Sequence, residues 1–304
     1  RALPEAKIQL RQPLGDMLAL TVDSELAYFD NAQENNPTAL RWHVAPTLSL
    51  PYQRYWGEMT AELTVMNTYY HQREIEGTLL EEEVNRTLTR GRLFSSLYLE
   101  RNDNLLGNNM TVTLEPKIQY LYTSYEDQSN IGLYDTTALL NDVNGLFRGQ
   151  EFTGLDRIND NNQITLGVTS RVIDDANREQ FVVSLGQIFY LADTRITATT
   201  DDRNRSALAA ELDWRFDDNW FVHSTVQIAT DNDKVERSSM VLEYRRDNES
   251  LVQMSHRFVR DLSGETIDQL GISASWPIAK NWHWVGRSYR DLERDRSIEN
   301  YFGL

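Results

Sequence analysis

The stretch SALAAELDWRFDDNWFVHSTVQIAT, Ser206 to Thr230, carries two interleaved patterns. Leu208, Ala210, Leu212, Trp214 and Phe216 fall on every second position, with Ala209, Glu211, Asp213 and Arg215 between them. After Asp217, Asp218 and Asn219 the alternation resumes with Trp220, Val222, Val226 and Ile228. A period of two predicts a β-hairpin with one apolar and one charged face. Each arm runs about ten residues, roughly twice the modal strand of a soluble protein. A strand that long, with a Glu–Asp–Arg face, needs a surrounding that keeps both faces satisfied.

Composition narrows the choice. The 304 residues carry 46 acidic against 30 basic side chains, a net charge of −16. No Lys/Arg run interrupts this balance, which excludes the basic footprint of a nucleic-acid binder. No run of about 18 apolar residues offers a transmembrane helix. Cysteine is absent, so neither a Cys-built zinc site nor a disulfide within this chain is available. The N-terminal RALPEAKIQL lacks both a signal-peptide pattern and an initiator Met, which reads as a mature chain or a piece of a longer one.

The opening pattern recurs throughout. Val112, Leu114, Pro116, Ile118, Tyr120 and Tyr122 alternate with Thr113, Glu115, Lys117 and Gln119; Met59, Ala61, Leu63 and Val65 alternate with Thr60, Glu62 and Thr64. Fourteen such segments are predicted, near 16–29, 38–50, 57–70, 91–101, 110–122, 161–172, 180–191, 204–216, 220–230, 236–247, 250–260, 266–276, 281–291 and 296–304. Within 78–101, LLEEEVNRTL reads as a short helix or a structured loop before its strand. The connections alternate short (51–56, 173–179, 217–219, 248–249, 277–280) with long (71–90, 123–160, 192–203).

Short turns at one end and long loops at the other mark an outer-membrane barrel. About ten residues at roughly 3.3 Å each, tilted near 45°, cross an apolar band about 25 Å tall. Closure would leave no unpaired backbone in lipid. The fold expected is therefore all-β, a transmembrane antiparallel β-barrel. Its apolar face meets lipid, and its polar face lines a wet lumen at Glu62, Glu115, Lys117, Gln119, Arg171, Glu211, Asp213 and Arg215. Trp42, Trp56, Tyr122, Phe216, Trp220, Tyr244, Trp276 and Trp282 sit at segment ends, where interfacial girdles form.

No catalytic or metal set emerges. His43, His71, His223, His256 and His283 have no helical metal-ligand spacing, and neither H-E-x-x-H nor G-x-S-x-G occurs. His223 with Ser206 and Asp213, and His256 beside Ser255, are spacings that common residues produce unaided. The five histidines read as lumen or interface residues, and Glu81–Glu83 as a solvated loop. No cofactor is expected. The loop 123–160 is different, because a loop this long is functional or disordered. Leu139, Leu140, Leu146, Phe147, Phe152 and Leu155 make it too apolar for disorder. It should fold against the lumen wall or a neighbouring loop, with Asp156 and Arg157 as candidates for an ion pair that pins it.

Four stretches carry a resemblance: LEPKIQYLY (114–122), GLFRGQEFTGLDRINDNNQITLGVTSR (145–171), VSLGQIFYL (183–191) and LEYRRDNESLVQMSHRF (242–258). In this order and spacing they resemble the C-terminal domain of the LptD (Imp/OstA) family of lipopolysaccharide-assembly proteins. The resemblance covers nearly the whole chain. It implies a barrel of about 26 strands in the Gram-negative outer membrane, plugged by the lipoprotein LptE. It also implies a periplasmic N-terminal jellyroll fed by an LptA bridge, and release of lipopolysaccharide through a lateral opening without covalent chemistry. Fourteen segments are about half of such a barrel, so residues 1–304 read as a partial barrel domain lacking the jellyroll, the terminal barrel strands and the gate. The family's adjacent Cys pair, expected after a strand like SIENYFGL (297–304), is not in this sequence. The lumen-facing residues then become the candidate transport path or plug contact. A general porin or a barrel enzyme is the alternative.

Overall fold

The computed structural model describes residues 2–30, 36–105, 108–139, 142–197, 204–262 and 265–304. Among these the only helical turn is a 3-10 turn at Gly145–Phe147, and every other element is a strand. In chain order the strands are β1 (Ala2–Leu14), β2 (Leu18–Phe29), β3 (Thr38–Arg54), β4 (Gly57–Arg73), β5 (Glu83–Leu97), β6 (Leu99–Leu105), β7 (Asn108–Thr123) and β8 (Asn161–Asp174). They continue with β9 (Glu179–Tyr190), β10 (Leu208–Arg215), β11 (Trp220–Ile228), β12 (Val235–Arg245), β13 (Leu251–Leu262), β14 (Glu265–Ala279), β15 (Trp282–Asp291) and β16 (Arg296–Gly303). No helix among the described residues is long and apolar enough to cross a membrane, so any crossing is made by strands.

All sixteen strands belong to one antiparallel sheet whose pairing follows chain order from β1 to β16, with β6 as a side branch on β7. The path is linear among the described residues, as a partial barrel requires. The count exceeds the fourteen segments expected from sequence. The strand β1 was not anticipated, because Pro4 and Pro13 punctuate it; as the end strand of the order it has a free side where a missing N–H is tolerated. The region 78–101 holds no helix: β5 begins at Glu83 and β6 follows at Leu99. The face shared by Val84, Arg86, Leu88, Arg90 and Arg92 mixes apolar with cationic residues, which dilutes the hydrophobic alternation. The connection before it accordingly shrinks from 71–90 to residues 74–82.

Two compact units are present. The first comprises Arg1–Leu97, Lys117–Leu166 and Ile188–Asn204; the second comprises Tyr98–Pro116, Gly167–Gln187 and Arg205–Leu304. In the first unit the strands are two-faced in an unusual sense. Leu40, Trp42, Leu48, Leu63, Val65 and Leu93 are exposed, Trp42 by 54% and Leu63 by 53%. On the opposite face Arg41, His43, Thr68, Gln72 and Arg86 are buried. The polar face is buried because the loop following β7 lies on it. Two small apolar clusters occupy the interlayer. One joins Ala27, Phe29, Ala39, Tyr70 and Val84 to Ile131, with Tyr134 packed against it. The other joins Ala45, Met66 and Leu88 to Ile158, with Leu155 against it.

In the second unit the opening hairpin has the expected register: Leu212 faces Ser224, Asp213 faces His223 and Trp214 faces Val222. Its turn anchors an aromatic row. Phe216 stacks on Trp220 at 5.9 Å, Trp220 meets Tyr244 at 4.8 Å, and Tyr244 stacks on Trp276 at 6.4 Å. A continuous row of amphipathic rings at strand ends has the form of one arc of an interfacial girdle.

Candidate functional site: a loop clamped to the polar face

The site is built around Arg41 of β3, whose side chain is 0% exposed. Alternation along β3 puts Arg41 on the buried face while Leu40 and Trp42 point the other way. Its guanidinium serves three carboxylates. Nε and Nη2 donate to Oε1 of Glu25 on β2 at 2.9 and 2.6 Å. Nη1 and Nη2 donate to the two oxygens of Asp135 at 2.9 and 2.5 Å, a bidentate fork, and Nη1 donates to Oδ1 of Asp156 at 2.8 Å. The guanidinium carbon also lies 4.6 Å from the centre of the Phe29 ring. Glu25 belongs to the wall, whereas Asp135 and Asp156 belong to the loop, so one cation ties the loop to the sheet.

Asp156 is the loop's own hub, 0% exposed in its side chain. Its Oδ2 accepts the backbone N–H groups of Tyr134 and Asp135 at 2.7 and 2.9 Å, and its Oδ1 accepts the Tyr70 hydroxyl at 3.2 Å. Two distant loop segments are thereby joined. Gly154 makes the approach possible: its φ is +64°, and a Cβ there would lie 2.2 Å from Oδ1 of Asp135. Burial pushes the Asp156 carboxyl up, with Asp135 adding repulsion against the two N–H donors. Burial also opposes ionisation of Asp135, but the hydrogen bond and charge of Arg41, together with hydrogen bonds from the loop, outweigh it and hold that carboxyl below the usual range. Burial raises the Tyr134 phenol as well.

Two further wall residues grip loop backbone. Arg86 of β5 donates to the carbonyls of Leu155 at 2.5 Å and Asp156 at 3.2 Å, and to Gln128 Oε1 at 3.0 Å. Gln72 of β4 donates to Asn130 O at 2.9 Å, while its Oε1 accepts the Gly132 N–H at 2.8 Å and the Tyr134 hydroxyl at 2.7 Å. Within the loop, Gln128 mimics a strand against Ile158, donating to its carbonyl and accepting its N–H at 2.8 and 2.9 Å. Asp160 accepts the N–H groups of Arg195 and Ile196, both bonds from one oxygen at 2.9 and 2.8 Å, which brings a second loop into the same assembly.

Of the residues singled out from sequence for this loop, Asp156 sits at the centre. Its ion-pair partner is Arg41; Arg157 instead donates to the carbonyls of Asp156 and Ile131 at 2.9 and 2.8 Å, and burial lowers its guanidinium. Leu146 is buried, Phe147 packs edge-on against Phe94 at 6.0 Å, and Leu139, Phe152 and Leu155 are half-buried; Leu140 lies outside the described residues. Ile131, Val143 and Ile158 are buried too. Arg41, Glu25, Tyr70, Gln72, Arg86, Gln128 and Asp135 were not anticipated. The wall members read only as polar places in an alternating strand, and their loop partners lie up to 115 residues away.

The other singled-out residues form three local groups. Glu62 on β4 pairs with Arg92 at 3.0 Å, and Arg92 donates to Oε1 of Gln119 at 2.7 Å; Lys117, opposite Ser96, is half-buried. Glu115 and Glu179 both pair with Arg171, the latter at 2.9 Å. Asp213 meets His223 Nδ1 at 2.7 Å, and with Glu211 their ligand atoms lie within 4.8 Å of one another. Arg215 lies 4.7 Å from the Phe221 ring centre. Ser206 does not join His223: its hydroxyl donates to Ala207 O at 2.9 Å. His256 pairs with Asp268 at 2.8 Å.

The family described as LPS transport system D, LptD, matches residues 1–282. The LPS-assembly protein LptD of Pseudoalteromonas atlantica is 60% identical over all 304 residues, which span 40% of that protein. Its counterpart in Shewanella denitrificans is 41% identical over 293 residues, covering 93% of this chain and 38% of the relative. The chain thus spans about two-fifths of these relatives' length. Among solved structures, the ferric-catecholate import receptor Fiu of E. coli, open form, covers 94% of this chain and 62% of its own, at 10% identity and a TM-score of 0.34.

Proposed function

The chain belongs to the LptD family, and on that premise we propose that it forms part of the wall of an outer-membrane β-barrel that delivers lipopolysaccharide to the outer leaflet of a Gram-negative bacterium. The observation that carries the reading is the placement of polarity in the sheet. Large apolar side chains such as Leu48, Leu63 and Trp42 are exposed, while Arg41, Gln72 and Arg86 are buried beneath a folded loop. Water is a poor solvent for the first face and lipid a poor one for the second, so the strands suit a bilayer on one side and a polar lumen on the other.

Lipopolysaccharide has sugars that need water and acyl chains that need lipid. Polar lumen faces, of Glu62 and Gln119 in the first unit and of Glu115 and Arg171 in the second, pass the sugars, while the acyl chains travel where the wall meets lipid. No bond is made or broken, so no residue of this chain is assigned a catalytic role. The loop 124–160, clamped by Arg41, holds one part of the lumen closed to free solutes. A barrel of the family's size cannot fill its lumen with side chains, so an LptE-like plug completes it, and an LptA-like bridge supplies substrate through a part of the protein outside this chain.

The test replaces the host's own LptD-family protein with the full-length parent of this chain. Restoration of lipopolysaccharide at the cell surface is the expected result. A parent that restored uptake of small solutes but no surface lipopolysaccharide would be a porin, and the reading would fall.

A further inference from the structure

Below the clamp, two cross-strand rows of the same polar face run side by side in the first unit. One row is Thr21, Thr47, Thr64 and Arg90; the next is Ser49, Glu62, Arg92 and Leu121. The loop roofs them with Phe147, Arg148 and Gly149, enclosing a cavity of about 500 Å³ with Asp23 at its edge. That volume falls within the roughly 300–1,000 Å³ of small-molecule sites. Gly149 closes the roof at φ +78°, where a Cβ would sit 3.4 Å from the Leu121 side chain.

The charges in this cavity are not balanced. Arg92 is paired with Glu62 through Nη1 and donates to Gln119 through Nε. Arg148 makes only a loose pair with Asp142 at 3.9 Å, outside the cavity. Arg90 uses Nε on the Thr123 hydroxyl at 3.1 Å, and among the described residues no carboxylate pairs with it. Three guanidinium groups therefore face two carboxylates, a local positive excess in a chain of net charge −16. Around Arg90 stand short hydroxyl side chains: Thr47 and Thr64 lie 2.9 Å apart, oxygen to oxygen, and Ser49 is one row below.

A guanidinium with both terminal nitrogens uncommitted matches the oxygens of a phosphate in a two-pronged fork. Hydroxyls, which donate and accept, and carboxylates, which accept, match the hydroxyls of a sugar, and the half-buried Phe147 supplies an apolar patch for its ring. We propose that this cavity is a binding site for a phosphorylated sugar. The phosphate rests on Arg90 with Arg148 closing over it, and the sugar hydroxyls meet Thr47, Ser49, Thr64 and Asp23. The assignment of that sugar to lipopolysaccharide in transit rests on the proposed function; the site's chemistry does not.

The experiment uses the full-length parent protein with its natural partners in lipid nanodiscs, and titrates it with glucose 6-phosphate, glucose and inorganic phosphate by calorimetry. Saturable binding of glucose 6-phosphate is expected, weakened about tenfold or more by Arg90→Gln and to a lesser degree by Arg148→Ala. Glucose should bind far more weakly. Absence of saturable binding, or equal affinity in wild type and Arg90→Gln, overturns the proposal. If Arg90→Gln fails to assemble, Arg148→Ala decides, because Arg148 is an exposed loop residue, and an unchanged affinity there overturns it equally. Inorganic phosphate binding as tightly as glucose 6-phosphate overturns the sugar half. Displacement by the phosphorylated oligosaccharide cleaved from lipopolysaccharide, at lower concentration than free glucose 6-phosphate, identifies the lipid-linked source; the reverse order identifies a free sugar phosphate. Delivery of lipopolysaccharide by the wild-type protein is measured separately. Delivery without binding sinks the pocket alone, and binding without delivery sinks the transport reading alone.

Discussion

Replacing Arg41 by Met keeps an unbranched, apolar stem and removes the one cation shared by Glu25, Asp135 and Asp156. Breaking a buried ion pair by deleting one partner costs about 3–5 kcal/mol, because a charge is left without compensation. Two features place this case at the low end. Asp156 keeps three other donors, the N–H groups of Tyr134 and Asp135 and the Tyr70 hydroxyl. Asp135 is 34% exposed in its side chain and recovers hydration. A loss of about 3 kcal/mol at roughly 1.4 kcal/mol per tenfold is about a hundredfold increase in loop opening. The loss falls on the loop, since the ladder between β2, β3 and β4 does not depend on Arg41's side chain. Amide exchange followed by mass spectrometry on the full-length protein in nanodiscs reads this directly. Peptides covering 128–158 should exchange about two orders of magnitude faster, while peptides of β12–β14 stay at the wild-type rate. Exchange at Tyr134 and Asp135 within a factor of about three of wild type would refute the clamp, because 3 kcal/mol cannot be lost there without that signature.

Other perturbations follow from the same geometry. Gly154→Ala forces a side chain into the left-handed region and onto the Asp135 carboxylate, a strain of about 1–3 kcal/mol before the clash is counted, and should reproduce the exchange signature of Arg41→Met; Gly91→Ala, with nothing within 4 Å, should not. Leu212→Arg should lower the level of assembled protein, since an arginine facing mid-bilayer lipid costs about 2–4 kcal/mol, whereas Asp213→Arg on the opposite face should assemble normally by heat-modifiability. In the turn after β12, hydrogen bonds from Ser250, then the Glu249 N–H and Arg246, hold the Asp247 carboxyl down to about 2. A folded value below the unfolded one means a contribution fully present above about pH 4 and lost as pH falls through about 2; the difference in melting temperature between wild type and Asp247→Asn should be constant near neutrality and shrink in strong acid.

The strands were legible wherever one face is largely apolar, as in β10, β11 and β7, because side-chain direction has a period of two and lipid or water enforces it. Legibility failed where a second constraint overlaid the period. Prolines broke the pattern of β1 but are compatible with its place at the end of the sheet. In β5 the buried face must hold Val84 and Leu88 for the apolar interlayer and Arg86 and Arg90 for polar contacts, so no hydrophobic alternation survives. The clamp was half legible. Asp156 stood out in a loop too apolar to be disordered, but its partner was sought next door at Arg157. A buried carboxylate takes the cation that the tertiary fold presents, and Arg41 is indistinguishable in sequence from any other polar residue of an alternating strand. The interlayer residues Ile131, Val143 and Ile158 carry no period at all, because loop packing has none.

The central claim is that these strands separate lipid from a polar lumen, and the environment of two adjacent residues tests it most directly. Leu212 and Asp213 are neighbours on β10, opposite Ser224 and His223, and the pleat sends them to opposite faces. A nitroxide at position 212 of the full-length protein in bilayers should be relaxed by oxygen dissolved in lipid, and one at position 213 by a water-soluble nickel chelate. If both labels respond to the nickel reagent and neither to oxygen, β10 does not span a membrane and the account is wrong.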